Sequence, residues 1–325
     1  ATMFGIVDRL LLTAPEHVQE PDRLRRVMVR QQFAGQTFHQ SSLEYPDLVE
    51  LSELDVFRSV AGWTVSEMTF GYGAQAERVS AGVATASLFP TLGVEPERGR
   101  FFGADEDREG SDPVAVVGHE FWRGRLGGDP QVLGRELVVA ERSYRVVGVA
   151  PPGFTGLGLS RVDLWLPLHV AGPQLFPGME ALPTRESGMR FFWLQVAARL
   201  APGVSTEVVD ARVDALHQAV YGSDDRYEGM MLTAPVIAAR GPNASAESRV
   251  AVWLAGVAFV VLLVACANVA NMLLARGVRR RGEIAIRMAL GVPRGRLVRQ
   301  LLAERLLLAV SGSLAALLLA DWGGG

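Results

Sequence analysis

The feature that most constrains this chain is an uncharged run, Val250 to Ala275, that ends abruptly in arginines. It reads VAVWLAGVAFVVLLVACANVANMLLA and is followed by RGVRRRGEIAIRMALGVPRGRLVRQLL. The hydrocarbon core of a bilayer is about 30 Å thick, and a helix crosses it with about 20 apolar residues. The run exceeds that length, and helices buried in soluble cores are rarely so long and so apolar on every side. The sequence therefore predicts a transmembrane helix over 250–275.

The arginines give the helix a direction. Arg276, Arg279, Arg280, Arg281, Arg287, Arg294, Arg296, Arg299 and Arg305 are opposed only by Glu283 and Glu304. Short loops rich in arginine stay cytoplasmic. Arg276, Arg279, Arg280 and Arg281 thus set the topology, and Ala1 to Arg249 is expected outside. Within the predicted span, Asn268 and Asn271 share a helix face, where polar side chains face other helices rather than lipid; helix packing is the first reading and lining a path the second. After it, Glu283 precedes Arg287 by four residues, a favourable helical pair. Gly291 and Pro293 stop that helix, and another begins at Arg296. The apolar stretch Leu306–Trp322 reads as part of a further span, and ATMFGIVDRLLL at the start as the end of an earlier one. The chain is expected to be a piece of a longer protein.

Composition narrows the possible chemistry. All 32 basic residues are arginine. A GxxxxGK[ST] phosphate loop needs a lysine, so these residues contain no such ATPase site. The charge is split, −9 over residues 1–249 and +6 over 250–325. An acidic outer region argues against nucleic acid as a partner. The single cysteine, Cys266, lies in the predicted span, so the outer region must hold together through its core.

No catalytic constellation is visible. His17, His39, His119, His169 and His217 have no metal-ligand spacing, and there is no GxSxG elbow. ADEDREGSD, with Asp105, Glu106, Asp107 and Asp112, lacks the spacing of a calcium loop and reads as solvated. GFTGLG at 153–158 lacks the third glycine of a nucleotide fingerprint and reads as a mobile loop. No catalytic, cofactor-binding or metal-binding residue is expected.

The outer region predicts an α+β fold. A helix is read in EYPDLVELSEL, where Leu48, Leu51 and Leu54 recur at helical spacing. Strands are read at 24–29, 57–63, 78–84, 114–117, 135–139, 143–149, 163–168, 191–200 and 230–236, with short helices at 87–92 and 120–126. Ser205 caps a helix whose stripe is Val209, Val213, Leu216 and Val220, and Gly222 ends it. Strand, helix and strand around it form a β-α-β unit with parallel strands. The middle of the region reads as an inserted β-rich lobe.

These residues carry a family resemblance. ACANVANMLLARGVRRRGEIAIRMALGVPRGRLVRQLLAERLLLA resembles the FtsX-type permease domain, and Glu283, Ile284, Ile286, Arg287, Ala289, Leu290, Gly291 and Arg294 fall on its basic motif. EYPDL, RVSAGVATASLFPTLGVEPERGRFF, DPVAVVGHEFWRGRLGGDPQVLGRELVVAERSYRVVGVAPPGF, LWLPL and ARLAPGVS are similar to the MacB-like periplasmic core domain, nearest to the duplicated orphan permeases. The resemblance implies an ABC transporter permease of the bacterial inner membrane, with a porter-like β-α-β lobe and an inserted β-rich lobe outside. It implies no catalytic residue and no cofactor bound by this chain. ATP is used by a separate ATPase subunit, which the helix Glu283–Leu290 meets as a coupling helix. It also implies a homodimer or a second permease unit, the lipid bilayer and periplasmic proteins as partners. The domains it implies are the end of a first span and its exit over 1–21 and a periplasmic domain over 22–249 with its inserted lobe at about 100–185. A span over 250–275, a coupling segment over 276–300 and a partial span over 301–325 complete them. The alternative reading is a membrane-anchored periplasmic binding or scaffold protein that works without an ATPase. An adjacent ATPase gene would discriminate between the two, and the substrate is not legible.

Overall fold

The computed structural model describes residues 17–33, 36–73, 76–158, 160–176, 178–222, 229–236 and 246–279. They fall into two units, one over Ala14–Asn243 and the other containing the helix at 246–279. The first unit holds all twelve described strands. They are β1 (Leu24–Phe33), β2 (Gln36–Gln40), β3 (Ser42–Leu43), β4 (Phe57–Phe70), β5 (Glu77–Ala84) and β6 (Arg98–Gly99), then β7 (Val114–Val117), β8 (Glu136–Val139), β9 (Arg142–Val149), β10 (Leu164–Pro167), β11 (Leu194–Leu200) and β12 (Gly229–Pro235). Its helices are α1 (Tyr45–Ser52), α2 (Leu88–Leu92), α3 (His119–Arg125), α4 (Leu168–Ala171) and α5 (Thr206–Tyr221). This mixed α/β composition agrees with the sequence reading.

The strands form one sheet in the order β12-β1-β11-β4-β5-β10-β7-β9-β6, with β2 on β1, β3 on β11, and β8 joining β9 to β4. That last pairing, Phe70 opposite Val139, closes a ring β4-β5-β10-β7-β9-β8. The ring depends on the length of β4. The apolar pattern predicts a strand ending at Trp63, but it continues to Phe70 through alternating residues of which Met68 is buried and Val65 exposed. Two backbone bonds bracket the closure, from Gly71 N to Val138 O at 3.0 Å and from Ala140 N to Thr69 O at 2.8 Å.

At the other side of the sheet, β11 and β12 are both antiparallel to β1. They therefore run parallel to each other with β1 between them, as the β-α-β reading predicts. Ser205 accepts a hydrogen bond from Val208 N and caps α5, and Gly222 is its C-terminal cap. The buried face of α5 is Val209, Val213, His217 and Tyr221. Leu216 packs at its margin, but Tyr221 takes the place expected for Val220. Its hydroxyl reaches Glu44 and Asp47 at 2.7 and 2.9 Å.

The core gathers around large aromatics. Trp165 on β10 is fully buried and lies close to Phe89 and Phe154. It packs flat on β5 because Gly82 has no side chain; a Cβ there would sit 2.5 Å from its ring. GFTGLG is not a mobile loop. Phe154 and Leu157 are buried, and Gly156, at φ +71°, turns the chain against the Trp165 ring.

The second unit's helix, α6 (Ala246–Arg279), is 34 residues long. Its described side chains include Phe259, Val260, Val261, Leu262, Leu263 and Val264, all exposed. Among the described residues no helix is long and apolar enough to cross a membrane.

Gly82→Ala should destabilise the fold by about 1–3 kcal/mol, the usual cost of overpacking a filled core. The check is a lower urea midpoint with an unchanged m-value.

Candidate functional site

The candidate site is the place where the chain enters and leaves the first unit. β1 and β12 lie side by side in antiparallel register, with Arg25 opposite Pro235 and Val27 opposite Thr233. Neighbouring strands lie about 4.8 Å apart. The incoming chain at Leu24 and the outgoing chain at Pro235 are thus at one end of the sheet and are coupled by a full hydrogen-bond ladder.

Arginines fasten both strands. Arg199, near the end of β11, is 6% exposed. Its Nε and Nη2 donate to Thr91 O at 3.0 and 2.8 Å. Nη2 also donates to Gln19 O at 2.7 Å, and Nη1 to Glu20 Oε2 at 3.3 Å. Gln19 N donates to Leu92 O at 2.9 Å. The turn before β1 is thereby tied to the end of α2. Burial lowers the Arg199 pKa, against the pull of Glu20 and helped by the nearby charges of Arg23 and Arg58. Arg23 adds a bond to Leu200 O at 3.0 Å.

The outgoing strand is held from the other side. Arg25 donates to Thr233 Oγ1 at 3.2 Å and to Thr233 O at 3.1 Å. Thr233 N and Oγ1 donate to Asp210 Oδ1 at 2.8 and 2.7 Å. Met231 N donates to Asp214 Oδ1 at 3.2 Å, and Gln218 Nε2 to Gly229 O at 2.8 Å. Side chains of α5 therefore occupy the outer edge of β12, which would otherwise be open to pairing with another strand.

The acidic loop is not simply solvated. Asp107 is buried. It accepts from Ala86 N at 2.8 Å and from His169 N at 2.9 Å, and lies 3.0 Å from His169 Nδ1. His169 Nε2 is 2.8 Å from the Tyr45 hydroxyl. Burial, and then the charge of Asp107, push the Tyr45 phenol up. The chain Asp107–His169–Tyr45 fastens the loop to α1 and α4. Glu106 is paired with Arg100 at 2.6 Å, which holds its carboxyl below the ordinary range.

A second anchor has no counterpart in the sequence reading. Arg185 donates to Glu50 Oε1 at 2.8 Å, to Glu44 Oε2 at 2.7 Å, to Asp47 Oδ1 at 2.5 Å and to the Tyr221 hydroxyl at 3.0 Å. Burial opposes its charge, but the bonds to Glu50 and Asp47 raise its pKa. Desolvation pushes the Asp47 carboxyl up despite Arg185. This cluster ties the segment before β11 to α1 and α5.

Of the sequence-predicted residues, Asn268 and Asn271 lie about one turn apart on α6, both exposed. Arg276 and Arg279 are in its last turns. Arg280, Arg281, Glu283, Ile284, Ile286, Arg287, Ala289, Leu290, Gly291 and Arg294 lie outside the described residues. Among the described residues, no group of acidic, histidine or cysteine side chains could hold a metal ion. Arg199 had a visible signal, a lone charge in the apolar strand LQVAARL. Arg25 and Arg185 had none, because their partners are far away in sequence.

A mixed α/β domain whose first and last long strands are neighbours is suited to insertion between two other segments. The chain belongs to the MacB/FtsX-like family of ABC transporter permeases: residues 1–216 match the MacB-like periplasmic core domain and residues 255–324 the FtsX-like permease C-terminal region. It is 27% identical over 227 residues to the macrolide export ATP-binding/permease protein MacB of Neisseria meningitidis serogroup A, covering 70% of this chain and 32% of that protein. It is 28% identical over 224 residues to the pyoverdine export ATP-binding/permease protein PvdT of Pseudomonas aeruginosa, covering 68% of this chain and 31% of that protein. The chain thus spans about a third of the length of these curated relatives. The crystal structure of the periplasmic region of MacB from Actinobacillus actinomycetemcomitans has a similar fold, with a TM-score of 0.50 at 15% identity, over 69% of this chain and 93% of that one.

Arg199→Met should cost about 2–4 kcal/mol, because it strands the buried carbonyls of Thr91 and Gln19. Limited proteolysis should then cut first near Gln19–Arg23, whereas Arg212→Met, an exposed change on α5, should leave the cleavage pattern unchanged.

Proposed function

We propose that this chain is the permease part of an ABC exporter of the inner membrane, and that it couples ATP use to motion of its periplasmic domain. The observation that carries this reading is the pairing of β1 with β12. A domain inserted between two spans must receive and return the chain at one place, and the paired strands form a rigid handle there. In this reading the span is 250–275, and the preceding span leads into β1. β1, β4, β5, β11 and β12 with α1 and α5 make up the porter-like lobe, and β6–β10 make up the inserted lobe.

The ATPase lies outside these residues, which contain no lysine for a phosphate loop. The relatives' names, ATP-binding/permease proteins for macrolide and pyoverdine export, support both the coupling and the direction. Glu283–Leu290, with Gly291 and Arg294, is the coupling helix that meets the ATPase. Asn268 and Asn271 pack against neighbouring spans, and a homodimer or a second permease unit completes the transport unit. The chain itself binds no cofactor; ATP is bound by its partner.

The test uses the full-length protein with its ATPase. Glu283→Ala combined with Arg287→Ala should lower ATPase co-purification or substrate-stimulated ATP hydrolysis at least about tenfold, equivalent to roughly 1.4 kcal/mol of lost coupling. Unchanged association and unchanged stimulation would contradict the coupling helix.

A further inference from the structure

One edge of the sheet is left open. The outer edge of β12 is occupied by Asp210, Asp214 and Gln218 of α5. β6, at the far end, is only two residues long and turns at Gly99, with φ +66°. β2 pairs with β1 and, among the described strands, with no other. Thr37 and Phe38 on β2 are exposed, Phe38 by 49%.

The bonds of β12 fix which way the backbone of β2 points. Thr233 N and Met231 N donate to Asp210 and Asp214 of α5, so these residues direct their backbone groups away from β1. By the alternation of an antiparallel ladder, Leu232 and Met230 bond β1, at Met28 and Arg30. Val29 and Gln31 then direct theirs the other way, to Gln40 and Phe38 of β2. Thr37 and His39 are left with N–H and C=O aimed away from β1, and among the described residues no backbone group takes them. Natural edge strands are guarded by charge, proline, a bulge or shortness. β2 reads QTFHQ and has neither charge nor proline. Burial and the charge of Arg30 push the His39 imidazole down, so it is neutral at pH 7.

We propose that β2 pairs with β2 of a second copy of this chain, antiparallel, about a twofold axis at Phe38. The register selects the occupant. In this arrangement Thr37 of each copy lies opposite His39 of the other, and each such pair exchanges both of its N–H···O=C bonds. Phe38 meets its own copy at a position without ladder bonds, where Cα atoms lie about 4.5 Å apart and facing aromatic side chains attract. An uncharged strand sets no like charges face to face when it pairs with itself. A strand this short buries far less than the roughly 1,600 Å² of a stable interface, so the contact joins copies that their spans already hold together. It rests on the reading that a homodimer completes the transport unit, and it names the edge that the two periplasmic domains share.

Disulfide cross-linking of the full-length protein in its membrane, in a Cys266→Ser background, tests the pairing. Disulfides bridge Cα atoms about 4.4–6.8 Å apart. Phe38→Cys should give a covalent dimer on oxidation. Thr37→Cys alone should not, because its copy lies two residues out of register, but Thr37→Cys co-expressed with His39→Cys should link the one to the other. Adding Phe38→Glu, an exposed change that sets like charges face to face, should lower the yield of that mixed link at least about fivefold. Equal yields from Phe38→Cys and Thr37→Cys are random collision and overturn the register. Linkage of Phe38→Cys to a different protein makes another strand the occupant and overturns self-pairing. No link at Phe38→Cys in a protein that light scattering shows to be dimeric overturns the β2 contact and leaves the homodimer standing, whereas a monomer overturns both.

Discussion

The structure of the first unit depends on β1. It is the only described strand that pairs with both β11, through Leu24–Val27, and β12, through Arg25–Gln31, and its second half also carries β2. The incoming chain is therefore not a loose tether but one of the inner strands of the sheet. Displacing it would break two ladders at once. Arg199 extends the constraint backwards to Gln19 and Glu20, which lie before the strand begins. A buried guanidinium with carbonyl acceptors is costly to expose on either side, since both donor and acceptors would lose their partners. The position of the incoming chain is thus fixed by directional bonds as well as by apolar packing.

The same use of charge recurs at the junctions between elements. Arg185 fastens the segment before β11 to α1 and α5, and Asp107 fastens the acidic loop to α4 and to the turn before α2. Buried ion pairs of this kind contribute little net stability, because desolvation offsets much of the attraction. Breaking one, however, leaves a buried charge without a partner. Such clusters specify geometry more than they stabilise it. That suits a domain whose proposed work is to move as a body, and it is consistent with an outer region that has no cysteine for a disulfide.

Local signals made much of the fold legible. Ser205, Gly222 and the Val209–Val213 stripe placed α5, and the short apolar runs placed β5, β7, β9 and β10 to within a residue or two. What failed was non-local. β4 passed Trp63 unnoticed because its second half is half exposed, and the ring it closes rests on a single register pair, Phe70 with Val139. Asp107 looked like one solvated acid among several because its partners, Ala86 and His169, are distant in sequence. GFTGLG, which follows a double proline and lacks a nucleotide motif's third glycine, reads as mobile, whereas Gly156 makes room for Trp165. For the candidate site, the FtsX-type motif was legible but lies outside the described residues. The pairing of β1 with β12 is invisible until the sheet order is known.

The proposed function requires β1 and β12 to move as one rigid pair within the α/β domain. Met28 and Leu232 are direct partners across that ladder, so cysteines at both positions, in a Cys266→Ser background, can be cross-linked in the full-length protein. The same cross-linking yield is expected with and without ATP, with transport retained once the link has formed. A yield that changes with nucleotide, or transport lost on cross-linking and restored by reduction, would contradict it.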